Sequence, residues 1–235
     1  MAVICVDLSD YQAGFDFDAF KAGGGLGVIC KATEGSSIED QSYKAFRSAA
    51  KSAGVAFASY HFLRSGDMAK QASYYLDFAA PDQGERVVAD YEDESVSLSD
   101  LVNFLKAVQA QRPDLQLTVY GSNVLEETLG SQTVDWLAQN TSLWTAAYSS
   151  SPGKYPTQVW PFYSLWQYTD SVSVPGFNGS VDGNKFNGSN DLFLKWMGPG
   201  AAPSPPVVTV PVITISSTQP VRIQLGANVS MAAMA

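Results

Sequence analysis

Histidine and cysteine are almost absent from this chain of 235 residues: His61 stands alone, and Cys5 and Cys30 are the only thiols. That scarcity leaves no His and Cys cluster to hold a metal and little scope for a Ser-His-Asp or Cys-His nucleophile. Each cysteine sits in an apolar strand-like run, VICVD and VICKAT, where small thiols are usually buried, so a reduced pair is expected in place of a disulfide. No apolar run reaches the roughly 18 residues of a membrane span, and Met1 to Asp10 has no basic region leading into an apolar stretch and a cleavage site. Neither a membrane span nor a secretory signal is expected. Basic residues are also few, 14 Lys and Arg against 23 Asp and Glu, and the resulting net charge of −9 disfavours nucleic acid as a partner. No metal or cofactor is expected, and chemistry on this chain falls to its carboxylates.

What is present is 46% apolar and 12% aromatic content, enough for one substantial core. Up to about residue 196, β-rich runs alternate with amphipathic stretches: AVICVDL, DFDAFKAG, LGVICKAT, QSYKAFRSAAKSAG, VAFASYHF. Gly54 marks the end of the second helix; Asp67 opens the third, DMAKQASYYLDFAA, and Pro81 ends it. RVVADYE follows, then a helix over SLSDLVNFLKAVQAQR capped by Ser97 or Ser99, then QLTVYG, LWTAAY, YSLWQYT and VDGNKF. About eight strands, many apolar on both faces, predict an α/β fold: a modified TIM-like β/α barrel with parallel strands and crossover helices, weak in its later helices. The barrel is expected over residues 1–197. A Pro-rich linker, PGAAPSPP, occupies 198–206, and residues 207–235 form a β-rich tail too short to bury a core alone, a segment for self-association or attachment.

In a parallel barrel, ligand-facing side chains stand at the C-terminal strand ends. Asp7 ends the first run, Glu34 follows the second, Asp90 and Glu92 end the fourth, and Asp182 lies in the last. Asp90 and Glu92 are two apart on a strand and share a face, and their mutual repulsion raises a pKa towards neutrality, the condition for a general acid. Glu92, the longer, is the expected acid, although a D-x-E pair alone also caps turns or meets solvent. Tyr60, Tyr120, Trp144, Trp166, Gln167 and Tyr168 also close strand runs, and such aromatic faces beside carboxylates and amides suit sugar rings. For Phe62 and Tyr148 a core role is expected. His61 falls on the face opposite Tyr60, where a structural hydrogen bond is expected.

These residues resemble glycoside hydrolase family 25, the lysozymes of bacteria, fungi and many phage endolysins. The resemblance spans residues 2 to about 194 and rests on the order of DLSDYQ, CKATEG, ASYHF, AKQASYYL, DYE, VYGSN, LWTAAY, LWQYT and VDGNKFNGS. Ala13 and Ile38 depart from the usual pattern without touching a carboxylate. It implies a muramidase cleaving the β-1,4 bond from N-acetylmuramic acid to N-acetylglucosamine in peptidoglycan, without cofactor. Glu92 is then the general acid, Asp90 the second carboxylate, and Asp7 and Asp182 shape the charge and hold the sugar. Two alternatives stand beside it. A chitinase-like glycosidase would need a D-G-x-D-x-D-x-E run, which RVVADYEDE lacks; the other is a non-catalytic glycan-binding or phage structural module. The absent signal fits an endolysin waiting in the host cytoplasm, or a lysin carried on a phage particle.

Overall fold

The computed structural model describes residues 4–198; the linker beyond Gly198 and the tail over 207–235 lie outside the described residues. The chain enters at β1 (Cys5–Leu8) and alternates through α1 (Phe17–Ala22), β2 (Gly27–Glu34), a two-residue β3 (Ile38–Glu39), α2 (Tyr43–Ser52), β4 (Ala56–Phe62), α3 (Met68–Ala79), β5 (Arg86–Asp90), α4 (Leu98–Gln111) and β6 (Gln116–Gly121). The later part is poorer in helix: α5 (Asn123–Leu129), α6 (Asp135–Asn140), β7 (Thr141–Ala146), β8 (Leu165–Val172), β9 (Val181–Phe186) and α7 (Asn190–Met197). The helix starts follow local chemistry. The Asp67 side chain accepts from the Lys70 N–H at the head of α3, and at α4 it is Ser97 that caps, paired reciprocally with Asp100.

Eight strands close a barrel in the order β1, β2, β4, β5, β6, β7, β8, β9, with β3 added at the end of β2. From β1 round to β8 every neighbouring pair is parallel, as expected. The last strand departs from the expectation: β9 runs antiparallel to both β8 and β1. Its connection from β8, residues 173–180, is a short stretch of turns with Pro175, Gly176 and Gly179, and a parallel return would need a crossover of a dozen or more residues. The reversal brings the beginning of β9, not its end, to the mouth formed by the C-terminal ends of the other strands.

Two apolar layers hold this frame. One lies between the strands and the helices and contains Val6, Val28, Cys30, Phe57, Val87 and Leu117 with Tyr43, Tyr75, Phe104 and Leu105. The other fills the barrel, with Cys5, Ile29, Ala58, Val88 and Leu165 under Tyr120 and Trp144. Cys5 and Cys30 are free and buried on opposite faces of adjacent strands, which is why they do not meet as a disulfide. At the floor α7 packs Phe193, Leu194 and Met197 against this inner layer. It comes so close that a Cβ on Gly27 would lie 2.8 Å from the Phe193 ring. Arg86 secures the helix from inside: its Nε donates to the Trp196 carbonyl at 2.6 Å, its Nη1 to Thr118 and Ser142, and its guanidinium lies 4.0 Å from the Trp196 ring centre. Burial pushes this guanidinium down to about 9.

His61 faces the helices, as its position next to Tyr60 implies. Gln71 donates its Nε2 to the Arg64 carbonyl, so its Oε1 is the acceptor towards His61 Nε2 at 3.1 Å. The proton therefore sits on Nε2, and Nδ1 accepts from the Thr33 hydroxyl at 2.8 Å. Burial lowers this imidazole to about 4. Between that value and the unfolded value of about 6.5 the unfolded chain binds the extra proton, so this contribution to stability is complete above about pH 6.5 and is lost as pH falls towards 4. The stability advantage of wild type over His61→Gln should shrink by about 2 kcal/mol between pH 7 and pH 5, read from denaturant melts at both values. An advantage that does not change with pH would rule out the neutral imidazole.

Candidate active site

The mouth is built where strand alternation and burial conflict. β5 carries Val88 and Asp90 inward and Val87 and Ala89 towards the helices. Beyond its last residue the pairing continues through the Tyr91 N–H to the Tyr120 carbonyl, so Tyr91 turns to the helix side, where its hydroxyl donates to the Val96 carbonyl at 2.6 Å. Glu92 consequently returns to the mouth beside Asp90. Both line a cavity of about 150 Å³ together with Asp7, Asp182, Tyr60, Tyr120, Trp144, Tyr148 and Gln167.

The four expected catalytic carboxylates thus meet in one cavity. Asp7 and Asp182 are register partners across β1 and β9, which works only because β9 is reversed. All four carboxyls lie above their ordinary range. For Asp7 burial is the main cause and the Asp182 charge the next; for Asp90 burial and then the Glu92 charge; for Glu92 burial and then Asp182. Burial also raises Asp182, against a hydrogen bond with Asp7. Asp90 Oδ1 is a buried oxygen with no hydrogen-bond partner. Leaving a buried polar oxygen without a hydrogen-bond partner costs about 1–3 kcal/mol.

Gln167 organises the opposite wall. Its Nε2 donates to both oxygens of Asp7 at 3.1 Å and lies 3.2 Å from Asp182, and its Oε1 accepts from the Tyr120 hydroxyl at 2.7 Å and the Tyr148 hydroxyl at 3.1 Å. Asn184 adds a bond to Asp7 at 2.8 Å and takes the Trp144 indole N–H at 2.8 Å. Gln167 is therefore saturated by protein partners and positions the carboxylate pair, where the sequence indicated a direct sugar contact. Trp144 is a buried wall, 4.4 Å from Tyr120 between ring centres.

Other expected contacts fall elsewhere. Trp166 and Tyr168 flank Gln167 on β8 and so point to the opposite face; neither lines the hollows of the mouth, Trp166 donates to the Ala147 carbonyl at 2.8 Å, and Lys185 sits over both rings at 5.1 and 4.1 Å. Glu34 reaches the rim through a bulge in β2 between Lys31 and Thr33, but its carboxylate is held by Lys31 at 2.6 Å and Arg64 at 2.7 Å. It anchors these cations and does not line the hollows of the mouth. Tyr60 does line the cavity.

Two flanking hollows extend the cavity across the mouth. One, of about 340 Å³, includes Ser9, Tyr11, Gln12, Lys31, Tyr60 and Phe62. The other, of about 280 Å³, includes Ser122, Asn123, Ala146, Ala147 and Tyr148. Phe62, expected in the core, forms part of the first beneath Lys31 and Arg64, and Tyr148 is 58% exposed at the second. The sequence hid both: an aromatic at a strand end, as Phe62 is, or in a connection, as Tyr148 is, reads the same whether it is buried or bare. Among the described residues, Glu92 alone lines the central cavity and both flanks.

Residues 6–177 match the family described as Glycosyl hydrolases family 25. The autolytic lysozyme of Clostridium acetobutylicum is 30% identical over 189 residues, covering 77% of this chain and 55% of that protein, so the chain spans about half the length of that relative. The N,O-diacetylmuramidase of a Chalaropsis species is 26% identical over 201 residues, 76% of this chain and 93% of that one. The crystal structure of the bacterial lysozyme from Streptomyces coelicolor superposes with a TM-score of 0.74 at 25% identity, covering 86% of this chain and 99% of that chain.

Proposed function

The chain belongs to glycosyl hydrolases family 25, and on that premise we propose that it is a muramidase, hydrolysing the β-1,4 bond between N-acetylmuramic acid and N-acetylglucosamine in bacterial peptidoglycan. The relatives called lysozyme and N,O-diacetylmuramidase support the substrate class. The position of Glu92 carries the reading: among the described residues it is the one group shared by the cavity and both flanks, where the oxygen joining two sugars would lie.

Glu92, its carboxyl raised by burial and then by the Asp182 charge, delivers its proton to the glycosidic oxygen as the bond breaks. Asp90, behind it with a free oxygen, serves the anomeric carbon, as nucleophile, as base, or by orienting the substrate's acetamide. Asp7 and Asp182, held by Gln167 and Asn184, set the negative field that favours the oxocarbenium-like transition state. Water is the final acceptor.

Two measurements test this. Purified peptidoglycan should release reducing muramic acid ends, identified by mass spectrometry; release of none, or of reducing glucosamine ends, removes the muramidase reading. The rate should also fall on the alkaline side with an apparent pKa above the ordinary glutamate value of about 4.3, because the proton is held by a coupled Asp90 and Glu92 pair whose pKa values are both raised. A rate independent of pH through that limb would contradict acid catalysis by the pair.

A further inference from the structure

The hollows around Glu92 differ in charge. Apart from Glu92 itself, the flank formed by Ser122, Asn123, Ala146, Ala147 and Tyr148 has no charged residue. The larger flank, with Tyr11 and Phe62, holds Lys31, the one cation among the described residues lining these hollows. Asp90, the carboxylate assigned to the anomeric carbon, lines that flank and the central cavity. On the muramidase reading the ring that loses its C1–O bond is N-acetylmuramic acid, so Lys31 stands on the muramoyl side of the cleaved bond.

Lys31 begins a chain of alternating charge along the rim. On a regular strand Lys31 and Glu34, three apart, would face opposite ways, but the bulge in β2 brings them together, and Glu34 Oε2 takes Lys31 Nζ at 2.6 Å. Glu34 Oε1 takes Arg64 Nη2 at 2.7 Å, and Arg64 Nη1 donates to Asp93 at 2.9 Å. Lys31 and Arg64 both lie over the Phe62 ring, 5.3 and 4.5 Å from its centre. Of the four charged residues only Lys31 lines a hollow of the mouth. Exposed ion pairs add little to stability. Glu34 is the one hydrogen-bond partner of the Lys31 side chain among the described residues, so two of its three N–H groups are free for a ligand.

We propose that this rim binds the peptide carried on O3 of the muramoyl ring, with Lys31 as the specificity-determining residue that takes a carboxylate of that peptide. This deepens the muramidase reading and rests on it. In peptidoglycan the O3 substituent is a short peptide joined through a lactyl group, bearing carboxylates and, in its diamino acid, an ammonium. Asp7, Asp90, Glu92 and Asp182 make the mouth acidic, and an anionic substituent entering it is repelled unless a cation meets it. Lys31 supplies that cation in the muramoyl hollow. Outside the hollow, Glu34 and Asp93 present acceptors for the ammonium.

The test compares wild type, Lys31→Met and Lys31→Arg on glycan strands that keep their peptides and on the same strands stripped by an amidase to the lactyl group. For Lys31→Met the ratio of kcat/KM on peptide-bearing strands to that on stripped strands should drop about 5- to 30-fold, the worth of one charge-assisted hydrogen bond at a partly exposed site. For Lys31→Arg, which keeps the cation, the ratio should stay within about threefold of wild type. The ratio does not depend on how much of each variant is folded, and it cancels the effect of the Lys31 charge on Asp90, which both substrates feel. An unchanged ratio for Lys31→Met, a larger loss on stripped strands, or a Lys31→Arg ratio as low as that of Lys31→Met would overturn the peptide subsite, because Lys31 would then serve the catalytic carboxylates, the lactyl group or packing. If wild type cleaves neither kind of strand, the muramidase reading itself falls.

Discussion

Replacing Glu92 by Gln is expected to lower the rate of glycan cleavage by about 10³-fold while leaving KM within a few-fold of wild type. Glutamine matches glutamate in size and still fills the junction of the three hollows, so the sugars remain held. It has no acidic proton to give, and the glycosidic oxygen must depart as a poor leaving group. The magnitude follows from the usual worth of a positioned acid, about 10²–10⁴-fold. Release of reducing ends from purified peptidoglycan measures it, with a thermal melt to show that the fold persists. A variant that keeps more than about a tenth of the wild-type rate would mean that another group protonates the leaving sugar.

Asp90→Asn should separate activity from stability. The activity is expected to fall by about 10²-fold or more, because in the proposed mechanism Asp90 is the carboxylate that serves the anomeric carbon. Stability at neutral pH should rise by about 1 kcal/mol, or roughly 2–4 °C in Tm for a domain of this size. Asp90 is buried, crowded by the Glu92 charge, and leaves Oδ1 without a partner, and the amide removes the charge at nearly constant volume. The gain should vanish at a pH low enough to protonate Asp90 in the wild type, since the two side chains are then both neutral. Activity assays and melts at two pH values decide it; a variant both inactive and less stable would show that the carboxylate contributes to the fold.

Much of this site is legible in the chain. Alternating apolar runs predict the strands, and the eight that close the barrel correspond to AVICVDL through VDGNKF. Asp90 and Glu92 follow from a period of two, and His61 falls on the helix side by the same rule. The errors come where a position near the mouth does not fix the direction of the side chain. A strand-end position states only that a side chain is near the mouth, not which face of the strand it shares with its neighbours. Trp166 and Tyr168 were expected at the sugar path, but Gln167 between them takes the inward face. Glu34 reaches the rim only because a bulge in β2 shifts its alternation, and its charge is then taken by Lys31 and Arg64. Tyr148 belongs to the long connection 147–164, where no periodicity exists to place it.

Local chemistry acts over a few residues, and so the chain by itself determined the strand and helix segments, their caps, the inward pairing of Asp90 with Glu92, and the likeness to a family of glycan hydrolases. Three-dimensional closure decided the rest. The reversal of β9 set Asp182 opposite Asp7, and Gln167, far away along the chain from Asp7, was brought to bridge that pair. The same closure drew the flanks around Glu92 into one charged side and one neutral side. These are contacts between residues distant in sequence, and their geometry depends on how the barrel's register and its last strand satisfy backbone hydrogen bonds all the way round, a condition no local segment contains.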